Sequence, residues 1–497
     1  MNEQDAHTAL REYNRQIREI VAGYGLEPFE VAFEVVTFEQ MNELAAFEGF
    51  PVRYPHWRFG MEYERLKRSY SYGLHVIYEM VINNNPSYAY LLEHNKLVDQ
   101  KLVMAHVYAH SDFFRNNLWF SHTNRRMLDE MANHGARVRY YADRYGTEEV
   151  ERFIDTCLSV DDLIDPNAAF DGDLPASFAE TEDPEFQPAR FRAKDYMDPY
   201  VNPPAALAAE REQQAQSQAL RRFPLEPQRD VLYFLLKNAP LKNWQADVLA
   251  MLREESYYFL PQRQTKIMNE GWASYWHSKI MTESGVMEPR EVVDYAEHNA
   301  GTLALSPGHL NPYKLGVELF RDIEERWNRG CFGSEWEACG NLAERRAWDR
   351  QLGLGRQKIF EVRRVYNDLG FIDTFMDADF ANRARLFVYE ASEEDGTTQY
   401  TITSRDFQQV KDTLIRQLTN GGRPIILVED ANLHNRGELL LRHQYDDVEL
   451  DQAYAEATLA NLQRIWSRPV HVVTMRGGKE VLLSFDGQQH SKSEFVH

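Results

Sequence analysis

Long hydrophobic runs are missing from this chain. Nothing approaches the roughly 18 consecutive apolar residues of a membrane-spanning helix, and Met1 to Glu19 is charged, without the apolar stretch of a secretory signal. No membrane association is expected, and the expected location is cytoplasmic. Cysteine is equally scarce: Cys157, Cys331 and Cys339 are an odd, widely spaced set. They exclude a disulfide framework, argue against a thiolate zinc site and suit a reducing compartment. Positive charge is short too, because 55 Lys and Arg face 77 Asp and Glu and leave a formal charge of −22. Such a surface repels phosphate backbones, so nucleic acid is not an expected partner.

What the chain does have is core-forming material. Of its 497 residues 43% are hydrophobic and 12% aromatic, enough for about two or three packed domains. The periodicity predicts an α+β protein: a largely helical main domain over 1–383 and a C-terminal mixed α/β module over 384–497. Leu10, Tyr13, Ile17 and Ile20 mark an amphipathic helix closed by Gly23 and Gly25. The β-branched stretch within 30–47 reads equally as helix or strand. Tyr54 to Gly60, aromatic with Pro55 and Gly60, reads as a structured loop. Helices over about 61–74 and 97–114 flank a strand-like run at 76–82, and Asn83-Asn84-Asn85-Pro86 signals a turn. Between 165 and 227 the sequence becomes acidic, proline-bearing and then Ala/Gln-rich, as in a linker or extended arm that could wrap the fold or mediate a homo-oligomer. From 384 onward alternating strands and two helices give the order ββαββαββ.

The chemistry concentrates in two places. His106 and His110, four residues apart on a helix, differ by about 40° around it and about 6 Å along it, so both reach one ion. A carboxylate from a second helix would complete a mononuclear zinc site with an open position, and Glu270 is the candidate. His277 shares the face of Glu270 but lies about 10.5 Å further along the axis, too far for one ion. It is expected to support the ligands, contact substrate or serve a second metal, with Asn269 beside Glu270 in a similar supporting role. The bland alternative is a pair of helix histidines satisfied by carbonyls or acids. His298 and His309 are expected to be structural or supporting, and Trp272, Tyr275 and Trp276 to be core.

The string Asn269-Glu270-Gly271-Trp272-Ala273 resembles the one with which gluzincin metallopeptidases present their third zinc ligand, and His106-x-x-x-His110 resembles their first two. In those enzymes a glutamate follows the first histidine and acts as general base. Here Val107 stands there, so a base must come from elsewhere. Candidates are Glu79, Asp112 and His56.

A broader resemblance spans nearly the whole chain. Tyr54-Pro55-His56-Trp57 with Phe59-Gly60, Val81-Ile82-Asn83, Ala105-His106 to His110 with Phe113-Phe114, Pro261-Gln262, Met268 to His277, and Asn311-Pro312-Tyr313 with Leu315-Gly316 are similar to the stage V sporulation protein R (SpoVR) family. The resemblance implies a cytoplasmic bacterial protein linked to spore cortex formation in sporulating species. Elsewhere it implies stress-response gene clusters that also encode a serine protein kinase and a von Willebrand factor A-like protein. Two functions follow: a zinc-dependent amidase or peptidase, with iron as the alternative metal, or a noncatalytic regulatory or scaffolding protein acting with the kinase system.

Overall fold

A computed structural model describes residues 3–71, 79–170, 197, 201, 203–204, 208, 223–304, 308–394 and 397–495. The fold is α+β, mainly helical with small sheets. Contacts divide it into a first unit, Met1–Tyr140 with Tyr258–Arg423, and a second, Tyr141–Tyr257 with Pro424–His497. Most of the arm at 165–227, and residues 76–78 of the strand-like run, lie outside the described residues.

In the first unit, helix α1 (Glu3–Gly23) buries Ile17 and Val21, the face its spacing predicts. The ambiguous stretch that follows divides at Thr37 into strand β1 (Val31–Val36) and helix α2 (Phe38–Ala46). The Thr37 hydroxyl accepts from the Gln40 N–H at 3.2 Å while the Gln40 side chain accepts from the Thr37 N–H at 2.9 Å. This reciprocal cap stops the strand and starts the helix. Helix α3 (Trp57–Ser71) begins earlier than expected and absorbs the second half of the aromatic loop. Burying Phe59 there outweighs the roughly 1 kcal/mol that Gly60 costs inside a helix. Strands β2 (Glu79–Ile82) and β3 (Ser87–Leu92) join β1 in the order β1-β3-β2, with β1 parallel and β2 antiparallel to β3.

Two helices form the centre of this unit. In α4 (Leu97–Asn116) every residue from Gln100 to Phe114 is buried, and in α5 (Lys266–Glu283) every residue from Ile267 to His277 is. A helix buried on all faces cannot leave its polar groups to water. The buried charges on α4 are accordingly paired: Lys101 with Glu291 at 2.9 Å and Asp112 with Arg363 at 2.6 Å. Trp272 packs on Phe320 and Phe360 at 5.3 and 5.2 Å. Burying on the order of 200 Å² of this side chain contributes about 5 kcal/mol.

Helix α6 (Val292–Thr302) follows, and then α7 (Pro312–Arg329) crosses α5 at a glycine pair. A Cβ on Gly271 would stand 2.4 Å from the Gly316 carbonyl carbon, and one on Gly316 2.2 Å from the Ile267 oxygen. Only glycine permits this approach. Helices α8 (Gly355–Val365) and α9 (Asp368–Phe375), hairpin β4–β5 (Val388–Glu394, Thr397–Ser404) and α10 (Phe407–Leu418) complete the unit.

The second unit carries a sheet of five strands, β6 (Ile426–Leu433), β7 (Glu438–His443), β8 (Val470–Arg476), β9 (Lys479–Phe485) and β10 (His490–Glu494), in the order β10-β9-β8-β7-β6. Only β7 and β8 pair in parallel. The helix that connects them, α11 (Gln452–Trp466), packs on β8 and β9 and buries Leu459, Leu462, Ile465 and Trp466. Strand β10 was not among the elements expected from sequence. All of its residues are exposed, so it shows no alternation of apolar and polar positions.

Candidate metal centre

His106 and His110 lie on one face of α4 with ring centroids 4.5 Å apart, and α5 brings Glu270 to them. Glu270 Oε2 stands 3.5 Å from His106 Nε2 and 3.5 Å from His110 Nε2. All three side chains are buried, and their ligating atoms lie within 4.8 Å of one another, the one such His/Cys/Asp/Glu group among the described residues. Two ligands of a tetrahedral zinc, each about 2.0–2.1 Å from the ion, sit about 3.3–3.5 Å apart. The separations to Glu270 match that edge, and they are long for a hydrogen bond.

The outer nitrogens fix which way the lone pairs face. Asn269 Oδ1, 2.8 Å from His110 Nδ1, can only accept, so that nitrogen carries the proton and Nε2 presents a lone pair. His106 Nδ1 lies 2.7 Å from His277 Nδ1, so one of them donates. With the proton on His106, its Nε2 is also a lone-pair donor, and His277 Nε2–H turns to Asn299 Oδ1 at 3.5 Å. Burial, reinforced by His106, holds His277 well below the usual imidazole range, which makes it the neutral acceptor this arrangement uses. Two imidazole lone pairs then face Glu270 Oε2, a buried oxygen without a hydrogen-bond partner among the described residues. Burial opposes ionisation of Glu270, and with both Nε2 atoms unprotonated it is the Lys266 ammonium on Oε1 that favours the charged carboxylate. Three electron-pair donors directed at one buried point fit a divalent cation, with His277 and Asn269 orienting the imidazoles.

Two further groups stand beside the centre. Lys266, one turn before Glu270, holds Oε1 at 2.5 Å with a side chain 57% exposed, so it lies between the buried carboxylate and solvent. Tyr313, at the start of α7, has its ring 6.3 Å from that of His106 and 5.9 Å from the Lys266 ammonium. Sequence reasoning assigned neither a role, although the four-residue step from Lys266 to Glu270 was a readable signal. It also missed Asp368, which accepts from the Ile267 and Met268 N–H groups at 2.8 Å each. That carboxylate caps the N-terminus of α5, and burial pushes it up to about 7.

The remaining candidates sit elsewhere. Asp112 is enclosed by Arg363, Trp272 and the Glu27 backbone. His56 packs among Tyr54, Trp57 and Phe59 and accepts from the Arg58 N–H through Nδ1. His298, on α6, pairs with Asp99 at 3.2 Å, and His309 meets the Tyr400 hydroxyl at 3.1 Å. Glu79 opens β2, but its side chain lies outside what is described. Val107 is fully buried. Among the described residues no helix is long and apolar enough to cross a membrane.

Comparison with known proteins agrees with the motifs. The family model described as "SpoVR like protein" matches residues 4–423, and one described as "SpoVR-like C-terminal domain" matches 424–477. A curated relative, "Uncharacterized protein YcgB" of Escherichia coli (strain K12), is 29% identical over 483 residues, covering 91% of this chain and 89% of that protein. No solved structure matches. With both models together accounting for almost its whole length, the chain belongs to the SpoVR family.

Proposed function

We propose that His106, His110 and Glu270 form a mononuclear zinc or iron centre through which this protein hydrolyses an amide or peptide bond. The observation that carries the reading is the convergence of two imidazole Nε2 atoms and one hydrogen-bond-free carboxylate oxygen in a buried space. A divalent ion there supplies Lewis acidity and a water of lowered pKa. The chain's own groups do the rest: His277 and Asn269 hold the imidazoles in orientation, and Lys266 and Tyr313 bring a cation and a phenol to the rim. Val107 leaves the gluzincin base position without a proton carrier. Of the bases suggested by sequence, Asp112 is committed to other donors and His56 packs in an aromatic cluster elsewhere, which leaves Glu79, with Tyr313 as a further proton-bearing group beside the ring of His106. The family setting makes the cytoplasm the expected location and spore cortex formation or stress response the expected process.

Metal analysis of protein purified without chelator tests this reading. About one equivalent of zinc or iron, lost in His106→Ala and Glu270→Gln with the fold intact, together with amide hydrolysis lost in the same variants, is the expected result. Metal-free protein of full stability refutes it.

The buried Val107 favours a second reading, a noncatalytic regulatory protein that uses the centre for structure and acts with the serine protein kinase and von Willebrand factor A-like protein. It predicts bound metal without hydrolysis, and recovery of the kinase with the purified protein.

A further inference from the structure

Helices α7 and α10 face one another across a gap in the first unit. Lys314, Leu315 and Glu318 line it from one side and Val410, Leu414 and Gln417 from the other. Both sets follow the three- and four-residue steps of a single helix face. Residues 384–389, a turn running into β4, line a third wall. What remains is a cavity of about 420 Å³, within the roughly 300–1,000 Å³ of small-molecule pockets.

The distribution of polarity says what would fill it. Each helical wall has a buried apolar part, Leu315 on one side and Val410 with Leu414 on the other, and Leu386 and Phe387 add half-buried apolar surface. Charge is confined to a few groups. Lys314 has its counterion in Glu318 at 3.6 Å, whereas Arg385 has no ion pair among the described residues. Arg385 also adopts a φ of +55°, a conformation unfavourable for a residue other than glycine. The lining thus carries one excess positive charge on a chain whose overall charge is −22, a local reversal that selects anions. A guanidinium without an ion pair among the described residues suits an oxyanion that accepts at two points.

We infer that this cavity binds a dissolved amphipathic anion, with an aromatic or acyl body between the two helices and a carboxylate or sulfonate on Arg385. It shares no residue with the metal centre, so the inference stands without that reading.

Fluorescence titration of the full chain with 1-anilinonaphthalene-8-sulfonate tests it, with uncharged N-phenyl-1-naphthylamine as the control of the same shape. Wild type is expected to bind the sulfonate saturably at one site. Arg385→Glu should weaken the sulfonate by about tenfold or more and leave the uncharged probe unaffected. Val410→Trp, which fills the cavity, should remove both, and Gln417→Trp at its rim does the same if the buried variant does not fold. Equal sulfonate affinity in wild type and all folded variants overturns the inference. So does an equal loss of both probes in Arg385→Glu, the absence of saturable binding up to about 1 mM, or Arg385-dependent binding seen only on phosphatidylglycerol vesicles.

Discussion

Asp112→Asn separates two roles for the carboxylate that follows His110 by half a turn. In the folded chain Oδ1 accepts from the Glu27 N–H at 2.7 Å and from Asn116 at 3.2 Å, while Oδ2 accepts from Trp272 Nε1 at 2.9 Å and Arg363 at 2.6 Å. Asparagine keeps the size but turns one acceptor into a donor, which must then face a guanidinium and an indole N–H or a backbone N–H. The Arg363 side chain, 4% exposed, loses its counterion. Breaking one partner of a buried pair costs about 3–5 kcal/mol, and each forfeited neutral hydrogen bond adds about 1 kcal/mol. The oxygen that remains offsets part of this, so a loss of about 4 kcal/mol is expected in urea unfolding followed by tryptophan fluorescence. Replacing both partners with apolar residues, Asp112→Leu with Arg363→Met, should recover much of it. Metal content should stay the same in every folded variant. If Asp112→Asn unfolds within about 1 kcal/mol of wild type yet abolishes amide hydrolysis, Asp112 is a proton carrier and the anchoring account fails.

Other outcomes follow from the same contacts. Glu270→Gln keeps the shape but removes the anion, and zinc affinity measured by chelator competition should fall by about tenfold or more. Gly316→Ala puts a methyl 2.2 Å from the Ile267 oxygen; α5 and α7 must separate, at about 3 kcal/mol or more, read as a lower Tm. Asp368, raised to about 7 from an ordinary 3.8, binds a proton more tightly folded than unfolded. Its contribution is full below about pH 4 and is lost as pH rises through 7, so wild type should be about 2–3 kcal/mol more stable at pH 5 than at pH 8 from this group. Asp368→Asn should flatten that difference in denaturation curves at the two pH values. Lys101→Ala strands Glu291, now paired at 2.9 Å, and should cost about 3–5 kcal/mol in urea; an unchanged midpoint would contradict the pairing.

The His106, His110 and Glu270 cluster was legible because it obeys local rules. His106 and His110 share a helix face by spacing alone, and a known string pointed to Glu270; the structure adds that their helices meet. The arrangement around them was less legible, since its contacts are long-range. His277 reaches His106 across 171 positions and Asp368 caps a helix about 100 residues earlier, and no periodicity encodes such pairings. In α3 the loop reading stopped short because a glycine and a proline are turn signals only where no buried aromatic outweighs them. The stretch 30–47 stayed ambiguous for the opposite reason: it holds both a strand and a helix, and averaging over both hides the reciprocal cap at Thr37 that divides them. Strand β10 is exposed throughout, so binary patterning had nothing to register.

The contact between Gly271 and Gly316 bears on how an ion would enter. Glu270 is the immediate neighbour of a backbone approach that only glycine permits, so its main chain cannot swing aside to open the ligand set. Loading and release of an ion would then proceed by side-chain rotation alone, from the end where Lys266 grips the carboxylate. An ion held this way would exchange slowly, with the lysine, rather than any hinge between helices, setting the pace.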